Sequence, residues 1–297
     1  MAATPVQLLV VGGESDPNTQ RVVDQAHIRD ANYFYWDTDV PDADQIAWDY
    51  DHPWIDLGEH RIQPDAIFLR YNVFSSDDSV TRRAFDVVQA FALAWPAIRI
   101  LNRRCLTDAN PKARNLRLAK TLGMQIPSTL VMGNLNPISR MPNSDEHILK
   151  PLNGGQHTVT AADWANHDRL RSESPPMFVQ EKLAGENLRV FVIGGIAFAF
   201  HLQSQALDYR EDDQTQVVAI ETPEAIAEPS IRLANELGFD YCALDFRCRQ
   251  GFDAPVFLEI NSFPMFVRFD DAGENVLADR ILEVLLQARS AIPSRSG

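Results

Sequence analysis

The chain has 297 residues, with 27 Lys+Arg against 41 Asp+Glu, 45% hydrophobic and 23% charged residues. That composition is globular, leaves room for a large core and excludes wholesale disorder. The formal net charge of −14 repels phosphate backbones, so neither nucleic acid nor an anionic membrane is expected as a main partner, while a local basic pocket for a small anion stays compatible.

In chain order, the short apolar run Val6–Val11 closes at Gly12-Gly13 and reads as a buried strand. A helix over Asn18–Arg29, a strand over Tyr33–Trp36 and a strand over Ala66–Leu69 follow. Phe85, Val88, Ala92 and Trp95, spaced by three and four, predict a helix over Val80–Trp95. Ile98–Leu101 reads as a further strand. This alternation predicts an α/β lobe with a largely parallel sheet; the Asp-, Trp- and Pro-rich stretch from Pro41 to Pro64 resists assignment. Near residue 104 the pattern changes. Asn110-Pro111 reads as a helix start, with Asn as cap and Pro in the first position, and Gly123 as its stop. Short strands then dominate: Ser128–Met132, His147–Leu152 and Met177–Leu183. The two apolar runs of Arg189–His201 meet at Gly194-Gly195, the best hairpin signal in the chain. Helices are expected around Pro229–Leu237 and Asn275–Ala288, the latter with a stripe of Leu277, Ile281, Leu285 and Ala288. Cys105, Cys242 and Cys248 lack a CxxC pair, which speaks against a disulfide framework or a zinc site and fits a reducing cytoplasm. No signal peptide is read at the N-terminus. The longest apolar stretch, Val190–Phe200, is far short of the ~20 residues a membrane span needs.

Chemistry concentrates in three places. Tyr241-Cys-Ala-Leu-Asp245, a loop around Phe252, and Val256-Phe-Leu-Glu-Ile-Asn261 read as an antiparallel hairpin with Asp245 opposite Glu259. Alternation puts Glu259 and Asn261 on one face, Leu258 and Ile260 on the other. Opposed like charges destabilise a sheet, and a divalent cation removes the repulsion. Two carboxylates and an amide oxygen make a hard shell suited to Mg²⁺; the alternative is two solvated acids on an exposed face. Lys112 and Lys150, the latter leading into Pro151-Leu-Asn-Gly154-Gly155, can offer ammonium and backbone N–H groups to phosphate, though the Walker spacing is absent. Each alone also reads as a surface lysine. Phe178-Val-Gln-Glu181-Lys-Leu183-Ala-Gly185-Glu186-Asn-Leu-Arg189 can serve an adenine through main-chain groups, or be a plain charged hairpin.

Taken together, in this order and spacing, Lys112, Lys150 with its Gly turn, the Gln180-Glu181 hinge, Gly185–Arg189, Asp245 and Glu259-Ile-Asn261 resemble the ATP-grasp superfamily. The chain is most similar to the RimK-type and glutathione-synthetase-like branch, and especially to the ligases that crosslink graspetides (microviridin-type peptides). The resemblance covers roughly residues 104 to 286; the first hundred match only in α/β pattern and in Phe34-x-Trp-Asp-Thr-Asp39. It implies an ATP-grasp fold of α/β and α+β lobes: an N-terminal pre-ATP-grasp domain (1–103), a small lid subdomain (104–182) and a C-terminal antiparallel-sheet nucleotide and Mg lobe (183–297). It implies an ADP-forming carboxylate–amine ligase, with a hydroxyl as the other acceptor, that activates a carboxylate as an acyl phosphate. The rivals are an ATP-grasp kinase acting on a small alcohol, and a non-catalytic nucleotide- or peptide-binding module.

By the same resemblance Lys112 and Lys150 hold the α and β phosphates, with Gly154 and Gly155 in the phosphate loop. Gln180, Glu181, Lys182 and Leu183 form the hinge that meets adenine. Glu186 or Asn187 meets ribose. Asp245, Glu259 and Asn261 hold one or two Mg²⁺ ions, with Mn²⁺ as an alternative. Arg189 and Arg210 stabilise the transferring phosphoryl or acyl phosphate, and Gln203-Ser-Gln205…Asp208-Tyr-Arg210 is similar to a segment near the acceptor site. Arg70, ending a predicted strand, and Arg268 are substrate candidates. The expected partner is an amino acid, a peptide or a small carboxylate, and a homo-oligomer is in keeping with relatives of this kind. Two departures stand out: the short Asn153-Gly-Gly-Gln-His157 loop, and Met265 and Phe266 after the magnesium strand, which line an acceptor pocket or pack a helix.

Overall fold

The structure is a computed structural model. It describes residues 6–75, 78–136, 138, 143–152, 158–166, 176–204, 214–249, 252 and 254–287. The chain divides into two compact units, the first of residues 1–107, 238–241 and 265–297, the second of 108–237 and 242–264.

The first unit is built on β1 (Leu8–Gly12), α1 (Pro17–Ile28) and β2 (Tyr33–Asp37), then β3 (Ile46–Ala47), β4 (Ile55–Leu57), β5 (His60–Ile62), β6 (Ala66–Leu69), α2 (Asp78–Ala94) and β7 (Arg99–Ile100). β2-β1-β6-β7 form one parallel sheet, as the alternating pattern predicts. All five β1 residues are buried, the mark of a strand covered on both faces. Asp16 caps α1 by accepting from the Asn18 N–H at 2.9 Å, with Pro17 at the first position, where its missing N–H costs nothing. The stretch that resisted assignment holds the small antiparallel sheet β3-β4-β5. Its strands are two or three residues long, too short for periodicity to show. Two further helices, Val267–Ala272 and Val276–Leu286, join this unit. The first of them was not expected. Buried Asp270 receives Arg21 at 2.9 Å and caps the second helix through the N–H groups of Leu277 and Ala278. Leu277, Ile281 and Leu285 are buried as the stripe requires; Ala288 lies outside the described residues.

The second unit runs α3 (Lys112–Thr121), β8 (Thr129–Met132), β9 (His147–Pro151), β10 (Val159–Thr160), α4 (Ala161–Asn166), β11 (Met177–Glu181), β12 (Glu186–Ile193), β13 (Ile196–Gln203), β14 (Gln216–Ile220), α5 (Glu224–Leu237), β15 (Tyr241–Cys248, its first residue counted with the first unit) and β16 (Pro255–Ser262). Two sheets result, β10-β9-β11-β8 and β14-β13-β12-β15-β16. In the smaller one Leu149, Met177 and Val179 pack on Trp164 and Ile138. Alternation then turns Ile148, Lys150 and Gln180 to the opposite face. The Gly194-Gly195 hairpin joins β12 to β13, with both glycines at positive φ (54° and 77°), the conformation a tight primed turn demands. Among the described residues no helix is long and apolar enough to cross a membrane. Cys105, Cys242 and Cys248 are buried and free.

Candidate functional site

The site grows from β15 and β16. Their register sets Asp245 opposite Glu259 and Ala243 opposite Asn261, so the three polar residues share a face, as alternation predicts. Asn261 Nδ2 lies 3.1 Å from Glu259 Oε1 and 3.4 Å from Asp245 Oδ2. Arg189, on neighbouring β12, reaches Asp245 at 3.2 Å. Lys112 Nζ meets Glu259 Oε2 at 2.9 Å. The opposed acids are thus held in place by flanking cations.

Lys112 arrives there by a local device that the sequence reading placed differently. Asn110 does not cap α3. It sits at φ 50°, in the left-handed region Asn tolerates, and Pro111 is the cap residue. The Asn110 amide instead donates to the Ile260 carbonyl at 3.0 Å and accepts from Asn115 Nδ2 at 2.6 Å. This pins the start of α3 to β16 and sets Lys112, its first residue, over Glu259. Gly123, at φ 88°, follows the helix end as expected.

Burial pushes the Glu259 carboxyl up. The Lys112 and Lys150 ammoniums, with hydrogen bonds from Lys112 and Asn261, outweigh it and hold the group down to about 2. Both predicted phosphate lysines therefore act on one carboxylate. Among the described residues no three His, Cys, Asp or Glu side chains gather as a metal site. The candidate set is two carboxylates and one amide. Its donors are all oxygen once the Asn261 amide turns its carbonyl inward, which suits a hard cation of the Mg²⁺ class.

Between the two sheets of this unit lies a small cavity, lined by Pro127, Ile148, Lys150, Thr158, Gln180, Glu181, Leu183, Arg247 and Leu258. Four of the expected residues, Lys150, Gln180, Glu181 and Leu183, line it. Gln180 is buried and donates to Thr129 Oγ1 at 3.0 Å. Burial pushes the Glu181 carboxyl up, but the Ser128 N–H at 3.0 Å and Arg249 at 2.9 Å hold it below its usual range. Lys182 is exposed, and its N–H donates to the Glu146 carbonyl at 2.7 Å.

Leu258 is a correction. Strict alternation turns it away from Glu259. The register instead shifts between Asp245 and Phe246, so that Asp245 opposes Glu259 while Phe246 opposes Phe257. Leu258 is the extra residue of a bulge, which re-aims a side chain, and it joins the cavity while Phe257 stays buried. Ile148, Thr158, Pro127 and Arg247 were also missed. Ile148 carried a signal, being two residues before Lys150 on the same strand; the others carried none.

Asn187 is buried and two residues from Arg189, hence on the same face of β12. The Glu186 carboxylate is exposed and meets His201 at 2.6 Å. Arg70 and Arg268 belong to the first unit. Arg70, 6% exposed, is held by buried Asp16 at 2.5 Å, while Arg268 is exposed at the surface. Phe266 is buried against Tyr241 and its N–H donates to Asn18 Oδ1, which is the packing alternative; Met265 is exposed. Gly154, Gly155, Gln205, Asp208 and Arg210 lie outside the described residues.

No protein-family model matches the chain, and no curated protein sequence does. Solved structures match over nearly its whole length. The ATP-grasp ligase PsnB, complexed with a minimal precursor, Mg and ADP, superposes with a TM-score of 0.72 at 22% identity, over 94% of this chain and 98% of that one. The fold is that of the ATP-grasp ligases. The macrocyclase MdnC from Microcystis aeruginosa MRC, bound with precursor peptide MdnA, gives 0.70 at 20% identity, over 95% of this chain and 100% of that one. D-alanyl-alanine synthetase A from Vibrio cholerae gives 0.65 at 11% identity, over 95% and 98%. The expected ATP-grasp fold, with its mixed α/β and antiparallel sheets and its likeness to graspetide ligases, is thus borne out.

Proposed function

We propose that the chain is an ATP- and Mg²⁺-dependent, ADP-forming ligase. It activates a carboxylate as an acyl phosphate and joins it to an amine or hydroxyl of an amino-acid or peptide acceptor. One observation carries the reading: two lysines from separate elements act on Glu259, opposite Asp245, and one of them, Lys150, also lines a cavity of mixed apolar and polar side chains. A cation-and-acid cluster next to a cavity with both apolar walls and hydrogen-bonding groups is what a triphosphate joined to a base requires. The likeness to ligases crystallised with Mg and ADP or with precursor peptides supports the cofactor and the peptide class of substrate.

In this reading Ile148, Leu183 and Leu258 enclose the base, and Gln180 with the Glu181–Leu183 backbone meets its polar edge. Lys150 and Lys112 neutralise phosphate oxygens and let go of Glu259 to do so. Asp245, Glu259 and Asn261 would hold Mg²⁺, which supplies charge neutralisation on the transferring phosphoryl. Arg189, whose fork matches phosphate and carboxylate oxygens, lies beside them and steadies developing negative charge, a role also assigned to Arg210. The three-lobe division at 103 and 182 belongs to the same proposal, with β8–β11 as the lid.

The test is thermal unfolding with Mg²⁺ alone, a non-hydrolysable ATP analogue alone, and both. Ligand at 100 times its dissociation constant adds about 2.7 kcal/mol of stability. The expected result is a large shift only with both, lost in Lys150→Ala. No shift under any condition would refute the nucleotide site. With the site established, ADP formation that leaves the phosphoryl group on an alcohol, with no carboxylate needed and no phosphate released, would favour a kinase instead.

A further inference from the structure

The geometry points to Arg247 as a nucleotide-contacting residue that forms the base-side wall of the cavity and holds the Gly185 turn beside it. This rests on the ligase reading. Arg247 lies two residues beyond Asp245 on β15, so it shares the polar face, about 7 Å further from the acids. It is thus displaced from the end where Asp245, Glu259 and Lys112 gather, toward the hinge. Its neighbours in the wall are Leu183, Glu181 and Leu258. Its Nη1 donates to the Gly185 carbonyl at 3.1 Å.

That turn has no slack. Gly185 has φ 118°, and a Cβ there would lie 1.8 Å from the Cys248 carbonyl oxygen. Only glycine fits, and the backbone leading to β12 is pressed against the end of β15. Arg247 therefore ties the hinge to the strand carrying the acids. Its guanidinium is flat, permanently charged and equipped only with donors, so it can lie over the π-face of a purine.

The experiment is calorimetric titration of the full chain with AMP and, separately, with an ATP analogue plus Mg²⁺. The variants are Arg247→Met, Arg247→Lys and Lys150→Ala. Arg247→Met is expected to weaken both ligands by a similar factor, about tenfold, with Arg247→Lys intermediate. Lys150→Ala should weaken the triphosphate far more than AMP. Arg247→Met binding both ligands within twofold of wild type would overturn the inference while leaving the ligase reading intact. So would a loss confined to the triphosphate, which would put the charge at the phosphate end. A wild-type chain that binds neither ligand would overturn both. Ligand-free melting checks that Arg247→Met is folded; where it melts early, Arg247→Lys carries the comparison, and wild-type-like binding by it overturns the base-wall role.

Discussion

Each unit carries a cluster of opposite charges, and the two are used differently. In the first, Arg70 and Asp16 are almost without solvent, at 6% and 0% side-chain exposure. Asp16 also caps α1 and receives the Asn18 amide at 2.7 Å, and Asn18 in turn accepts the Phe266 N–H at 2.7 Å. These polar groups bind one segment of the fold to another. In the second, Lys112 with Glu259 and Arg189 with Asp245 are again cation–carboxylate pairs. They keep 9 to 27% exposure and gather on one sheet face, where Lys150, which also acts on Glu259, lines a cavity. A pair sealed by packing holds a fold. A pair that keeps some exposure can exchange its partner for a ligand, and this partial exposure is what marks a site.

The sharpest way to break this contrast is Arg70→Ala. It leaves a buried carboxylate facing no guanidinium, which costs about 3–5 kcal/mol. Denaturant unfolding should show a loss of that size; stability within 1 kcal/mol of wild type would show that the first cluster is not structural. Glu259→Gln should invert the pattern. Nucleotide-dependent phosphate release should fall about 10²- to 10³-fold. Stability should fall less than in Arg70→Ala, because the Lys112 ammonium left without its carboxylate is 27% exposed and can be solvated, whereas Asp16 cannot. A variant that keeps its turnover ends the ligase reading.

The Glu259 carboxyl also makes the contrast testable by pH. Its pKa falls from the ordinary 4.5 to about 2 in the folded chain. A group depressed on folding contributes stability that is fully present above its unfolded value and is lost as pH falls through the folded one. Urea midpoints of wild type and Glu259→Gln should keep a constant separation from about pH 7 to about pH 5. Acidification from 4.5 toward 2 should then erase Glu259's contribution. A separation that changes mainly near neutral pH would mean that Lys112 and Lys150 do not govern this group.

How much of this was legible depended on the range of the cause. The Asp245–Glu259 register follows from counting back from a hairpin loop, and the β12–β13 hairpin from two adjacent glycines, so both were readable. The parallel sheet of the first unit follows from apolar runs alternating with helical spacing. Leu258 was not readable, because a bulge depends on how two strands meet and leaves both sequences unremarkable. Asn110 misled for a related reason: Asn before Pro at a helix start is an ordinary cap, and only the Ile260 carbonyl, 150 residues on, draws its amide elsewhere. β14, an edge strand with no buried residue, and the brief helices Ala161–Asn166 and Val267–Ala272, too short for a period to establish itself, were also missed.

The smallest predicted effect tests the finest reading of the site. Sequence order alone left Glu186 and Asn187 equal as the ribose contact. The structure separates their surroundings. Asn187 shares its face with Arg189, and through it with Asp245; Glu186 reaches His201 at 2.6 Å from an exposed position. A hydroxyl-binding group belongs on the face that carries the lysines and acids. Asn187→Ala should therefore weaken the ATP analogue by about three- to tenfold, the worth of one hydrogen bond. Glu186→Gln should leave affinity nearly unchanged and cost at most about 1 kcal/mol of stability, the ceiling for an exposed pair. The reverse ranking in titrations of the two variants would assign the ribose to Glu186, and would mean that the His201 contact gives way when nucleotide binds.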